Sequence, residues 1–108
     1  MACVHDLLRR GNTVDFGAVN AVALRYLPSL VRTWCPNGRR CGREYLALNP
    51  TRSDARLGSF SINLETGRWS DFATGAAGGD PVSLAAYLFH TNQVEAARML
   101  AIALGVRT

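Results

Sequence analysis

Between Ser59 and Leu64 the chain alternates polar Ser59, Ser61 and Asn63 with apolar Phe60, Ile62 and Leu64, and Glu65-Thr66-Gly67 follows. Successive side chains of a strand point to opposite faces, so this period-two pattern buries one face and leaves the other wet. The short glycine-containing turn then predicts that Arg68 to Phe72 returns as the second arm of a hairpin. An antiparallel sheet of this kind needs an apolar layer against one face only.

The flanking segments carry that layer. Asn12, Thr13 and Asp15 are helix-starting residues, and Phe16, Val19, Val22, Ala23, Tyr26 and Leu27 recur at helical spacing, which predicts a helix over about 14–27. Pro28 lacks the amide a helix interior requires, so the helix should stop or kink there, with a short turn over Ser29 to Trp34. From Cys35 to Arg43 the composition shifts to Pro, Asn, Gly and Arg, predicting a loop that carries Arg39, Arg40 and Arg43, the densest basic cluster. Arg43 to Leu48 reads as a strand, whereas Ala73 to Gly79 is too rich in Gly, Ala and Thr for regular structure. Asp80-Pro81 is a strong helix start, with Leu84, Tyr87 and Leu88 marking the buried face of a helix ending near His90. Asn92 and Glu95 begin a last helix, whose Val94, Ala97, Leu100, Ala101 and Leu104 run to Gly105. The expected architecture is a single α+β domain: a small antiparallel sheet, an N-terminal helical region (1–34) packed on it, and two C-terminal helices within 35–108.

Composition narrows the function. The 108 residues are 48% hydrophobic and 19% charged, ordinary for one globular domain and unlike a disordered or fibrous chain. No apolar run approaches the roughly 20 residues of a membrane helix, and Met1 to Arg10 lacks the apolar stretch of a signal peptide, so a cytoplasmic protein without membrane partners is expected. All 12 basic residues are arginine, against 8 carboxylates, for a net charge of +4. Arginine's planar fork matches phosphate and stacks on rings, which makes nucleic acid the natural anionic partner, although GC-rich coding produces the same bias. The three cysteines, Cys3, Cys35 and Cys41, are an odd set without a secretion signal, which argues against a disulfide framework. Cys3 and His5 joined by Cys35 and Cys41 are the one thiol-based zinc set. Five residues separate the second pair, more than the usual gap of about two to four. Three reduced thiols and no cofactor are the expectation.

From Tyr45 onward the chain resembles the N-terminal zinc-binding domain of bacterial and phage DNA primases, the CHC2 type. That family reads Tyr-x-x-Leu-Cys-Pro-x-His, then a Pro-Ser-Phe strand, then Tyr-x-Cys-Phe-x-Cys-Gly and Gly-Asp before a helix. Here the corresponding stretches are Tyr45 to Arg52, Gly58 to Asn63, Trp69 to Gly75 and Gly78-Gly79-Asp80, with Glu95-Ala96-Ala97 and Leu104-Gly105 matching the closing helix. The four ligand positions hold Asn49, Arg52, Asp71 and Thr74 in place of Cys, His, Cys and Cys. None is a thiolate, so the resemblance is to a degenerate, zinc-less member of the kind found in prophage and plasmid replication proteins. The preserved spacing within each pair implies that the two turns still meet, with Arg52 and Asp71 forming a charge-assisted pair completed by Asn49 and Thr74.

In the related primases this domain helps hold the single-stranded template. The resemblance therefore implies a nucleic-acid-binding module in primase- or helicase-linked DNA replication of a mobile element. A basic track would come from Arg39, Arg40, Arg43, Arg52, Arg56 and Arg68, and stacking rings from Tyr45 and Trp69, each of which suits the core equally well. Phe60 shares the face of Ile62 and Leu64 and belongs to the core. Gly75, Gly78 and Gly79 fit a tight turn better than a phosphate cradle, because Asp80 sets a negative charge at its mouth. No Gly-Lys-Ser/Thr loop and no plausible two-metal carboxylate cluster is present, and His5 and His90 lack catalytic partners, so the chain is not expected to catalyse alone. It could form the N-terminal part of a primase, with a helicase or primase catalytic domain as partner. Two other readings stay open: an adaptor that docks a helicase or polymerase through Trp34 and Trp69, and a metal-dependent enzyme fragment using the cysteines.

Overall fold

The computed structural model describes residues 14–53 and 57–107. The Asp15 carboxylate accepts from the Ala18 amide (3.0 Å) and starts α1, Phe16–Arg25. The helix expected to run to Leu27 breaks at Tyr26, and a second full helix, α2 (Leu27–Trp34), follows where only a short turn was expected. Pro28 explains both outcomes. Its missing amide is costly inside a continuous helix but harmless in a first turn, where amides lack helical partners anyway.

Five strands, β1 (Arg39–Cys41), β2 (Glu44–Ala47), β3 (Phe60–Asn63), β4 (Trp69–Asp71) and β5 (Ala77–Gly78), form one sheet in chain order with every neighbour antiparallel. The β3–β4 hairpin is the expected one, and Gly67 sits in its turn with φ of 80°. Two strands correct the sequence reading. Arg39–Cys41, expected in a loop, pairs with β2 as an edge strand whose three residues are all exposed. An edge tolerates charged side chains that a central strand would exclude, so composition misleads there. Ala77–Gly78, expected to be irregular, pairs with β4 (Trp69↔Gly78, Ser70↔Ala77). Gly78 suits that place because a Cβ would collide with the Trp69 indole Nε1 and lie 2.7 Å from its Cε2.

Two helices close the fold. Asp80 and Ser83 cap α3 (Pro81–Leu88) reciprocally, the Ser83 amide donating to Asp80 at 2.8 Å. Asn92 caps α4 (Gln93–Leu104) by accepting from the Glu95 amide at 2.8 Å. The chain is thus α+β, a five-stranded antiparallel sheet with four helices among the described residues.

The inner face of the sheet, Tyr45, Ala47, Phe60, Ile62 and Trp69, packs with Leu27 and Val31 of α2 and Leu84 and Leu88 of α3. A second layer, Val19, Ala23, Val82, Ala85, Ala96, Ala97, Leu100 and Ala101, joins α1, α3 and α4. Its alanines allow close helix approach, and Trp34 touches both layers. Residues before Cys35 therefore share the core with the sheet.

Candidate functional site

Two tight turns meet beside the inner face. In the first the Arg52 amide approaches the Asn49 carbonyl (3.4 Å), and in the second the Thr74 and Gly75 amides converge on the Asp71 carbonyl (3.3 and 2.8 Å). The first follows β2 and the second follows β4, so the sheet itself brings them together. Asp71 is fully buried, and its carboxylate receives Arg52 Nε on Oδ2 (2.8 Å) and Arg52 Nη2 on Oδ1 (3.0 Å), a bidentate fork. Asn49 Nδ2 adds a third bond to Oδ2 (2.7 Å), and the Ala73 amide a fourth to Oδ1 (2.9 Å). These hydrogen bonds, Arg52's first, hold the Asp71 carboxyl well below the ordinary carboxylate range against the opposing effect of burial.

The expected Arg52–Asp71 pair is formed and Asn49 completes it, but Thr74 does not. Its side chain is exposed and accepts from the Ala76 amide (3.3 Å), because the turn needs the hydroxyl locally. Three participants had no sequence signal. Tyr87 of α3 accepts from Asn49 Nδ2 (2.8 Å), Thr51 donates to Asn49 Oδ1 (2.7 Å), and Ser59 accepts from Arg52 Nη2 (3.2 Å). Tyr87 had been read only as an apolar-face residue; its ring lies 4.7 Å from that of Trp69 while its hydroxyl enters the polar cluster. A guanidinium occupies the place between the turns, and both Asp71 oxygens are taken, so this donor set does not suit zinc.

The outer face of the sheet is built differently. The registers line up Arg39 with Leu46, Leu46 with Ser61 and Ser61 with Ser70, and likewise Glu44 with Asn63. A groove of about 340 Å³ lies over Glu44, Ser61, Asn63, Arg68, Ser70 and Ala77. The Phe72 amide donates to the Ser59 carbonyl (2.9 Å), extending the β3–β4 ladder by one pair, so Phe72 follows Arg68 and Ser70 on this face. The residue is 79% exposed.

The predicted basic and aromatic residues divide among these places. Arg39 and Arg68 flank the outer face and are exposed. Arg40 alternates away from it, opposite Tyr45, and its Nε donates to the Gly42 carbonyl (2.9 Å). Arg43 is exposed in the β1–β2 turn with Glu65 3.6 Å away, a distance at which a surface pair holds weakly. Arg52 belongs to the buried cluster, and Arg56 lies outside the described residues. Tyr45 and Trp69 are corrected as stacking platforms: both are buried, the phenol donating to the Cys35 carbonyl (2.7 Å) and the indole to Ser83 Oγ (3.0 Å). Period-two alternation from Phe60 and Ile62 places both rings inward through the register, information that a single strand does not carry. Of the aromatics in and beside β2, β3 and β4, Phe72 is the one exposed to solvent, and the sequence reading did not place it among the binding residues.

Cys35 is buried, and burial pushes its thiol up to about 11. Cys41 is exposed on β1, while Cys3 and His5 lie outside the described residues. No group of three or more His, Cys, Asp or Glu among the described residues could hold a metal ion, and no helix among them is long and apolar enough to cross a membrane. No protein-family model matches the chain, and no curated protein matches it in sequence.

Proposed function

We propose that this chain is a nucleic-acid-binding module that holds single-stranded DNA across the outer face of its sheet, in primase- or helicase-linked replication of a mobile element. The observation that carries the reading is the exposed Phe72 ring on the same sheet face as Arg68 and Ser70, which line a hydroxyl- and amide-lined groove. A ring on which a base can stack, sharing a sheet face with a cation for the backbone, is the minimal single-strand platform. Arg39, Arg43 and Arg68 supply phosphate contacts around the groove. Glu44 puts one carboxylate in the groove, so its floor suits the donor edges of unpaired bases rather than phosphates. The meeting of the 49–52 and 71–74 turns supports the resemblance to a zinc-less CHC2-type domain, with a guanidinium–carboxylate fork where the metal would bind.

Fluorescence anisotropy of labelled single-stranded DNA at rising salt tests this. Three phosphate contacts predict a slope of log K against log salt near −2, from about 0.7 per contact on a single strand. Absence of binding at low salt would refute the reading. The adaptor reading keeps one favourable observation, an apolar groove of about 100 Å³ over Leu30, Trp34, Phe89, Met99 and Leu100. Trp69 is too buried to serve it. Binding of a helicase or polymerase there would be nearly insensitive to salt.

A further inference from the structure

On the other side of the basic edge, a cleft of about 180 Å³ lies between α2 and β1, lined by residues that include Pro28, Arg32, Gly38, Arg39, Arg40 and Tyr45. Among the described residues that line it none is a carboxylate, and the charged ones are all arginine. Arg32 and Arg39 make no ion pair among the described residues, and Arg40 engages only Nε, on the Gly42 carbonyl (2.9 Å). Three cations around one concavity repel each other unless an anion joins them, and guanidinium forks match phosphate oxygens.

The cleft walls are fixed. Pro28 and Arg32 lie one turn apart on the same side of α2. The Tyr45 ring is held by its bond to the Cys35 carbonyl (2.7 Å), and Gly38 lets that ring pack directly against the main chain. A Cβ at Gly38 would fall 2.6 Å from Tyr45 Cζ and 2.7 Å from the Leu46 carbonyl oxygen. The cavity corresponds to about six water molecules, enough for a phosphate group and its first carbons but too small for a strand to thread through. Arg39 lines the cleft and, by register, belongs to the outer face, so the two places adjoin at the sheet edge.

We propose that this cleft is a phosphate-monoester site that captures the terminal phosphate of a nucleic acid strand whose bases lie on the outer face. A monoester carries close to two negative charges at neutral pH, against one for an internal phosphodiester, and so answers the three unpaired cations better. The strand in this proposal rests on the nucleic-acid reading above; the anion site does not.

Amide chemical shifts of the full chain are followed by NMR with inorganic phosphate, and with short oligothymidylates ending in a 5′-phosphate, a 3′-phosphate or hydroxyls alone. Phosphate is expected to shift Gly38, Arg39 and Arg40. One of the phosphorylated strands should bind about tenfold tighter than the hydroxyl strand, the factor one charge-assisted hydrogen bond supplies. The double variant R32Q/R40Q should remove that preference and keep both the hydroxyl-strand affinity and the melting temperature. If the hydroxyl and phosphorylated strands bind equally and phosphate leaves the cleft amides unmoved, the cleft proposal is overturned and the nucleic-acid reading stands. If phosphate shifts the cleft but no strand binds, the strand half of the proposal and the nucleic-acid reading both fail, leaving a site for free phosphate.

Discussion

Replacing Arg52 by alanine removes two hydrogen bonds from a carboxylate that has no access to solvent, at 2.8 and 3.0 Å, and a third at 3.2 Å to Ser59. Breaking a buried ion pair from one side costs about 3–5 kcal/mol, mostly because the remaining charge is stranded. Here Asp71 keeps Asn49 Nδ2 and the Ala73 amide, and the Arg52 side chain is 26% exposed, so water can follow the deletion. The lower end, about 3 kcal/mol, is expected. For a domain of this size that corresponds to a drop in melting temperature of roughly 12–20 °C. Thermal and urea denaturation followed by circular dichroism measure it, and the R52A/D71A double variant should lose clearly less than the sum of the single variants. The pH dependence has a definite sign. The folded-state pKa of Asp71 lies below its unfolded value, so its stabilisation is complete above about pH 5 and is lost as pH falls through the unfolded value, near 3.9, toward the folded one. R52A should show a shallower acid loss than the parent. An R52A protein that melts within 2 °C of the parent, with the same acid profile, would refute the reasoning.

Phe72→Ala should weaken single-stranded DNA binding by about 1–3 kcal/mol, the range for one base stacked on a ring, and leave the melting temperature nearly unchanged because the ring is exposed; anisotropy and a melt on one sample decide it. Replacing Arg39 and Arg68 by glutamine should flatten the salt slope by about 1.4, two contacts at 0.7 each, with no change in base preference. In native protein at pH 8, mass spectrometry after brief alkylation should find Cys41 modified well ahead of Cys35, whose thiol is buried and pushed up to about 11; equal labelling would contradict that burial. Asp80→Ala should cost about 1 kcal/mol in urea denaturation through loss of the reciprocal cap on α3.

The sequence by itself determined the β3–β4 hairpin, the starts of α1, α3 and α4, and the burial of Phe60 and Ile62. Each follows from local chemistry: alternation over a few residues, a capping carboxylate or amide, a proline or glycine at a boundary. It also carried the Arg52–Asp71 pairing, which the resemblance to the CHC2-type pattern implied from the two-residue spacing within each turn. Only the tertiary structure decided the rest. Arg39–Cys41 and Ala77–Gly78 become strands because an adjoining strand offers hydrogen bonds to segments with little strand preference of their own. Register across β1 and β2 divides Arg39 from Arg40, and register across β2, β3 and β4 turns Tyr45 and Trp69 inward and leaves Phe72 outside. Thr51, Ser59 and Tyr87 join Asn49, Arg52 and Asp71 from positions up to 38 residues apart. A hydrogen bond depends on where two atoms sit in space, and for groups that far apart along the chain, only the packing of the sheet against α3 sets that distance.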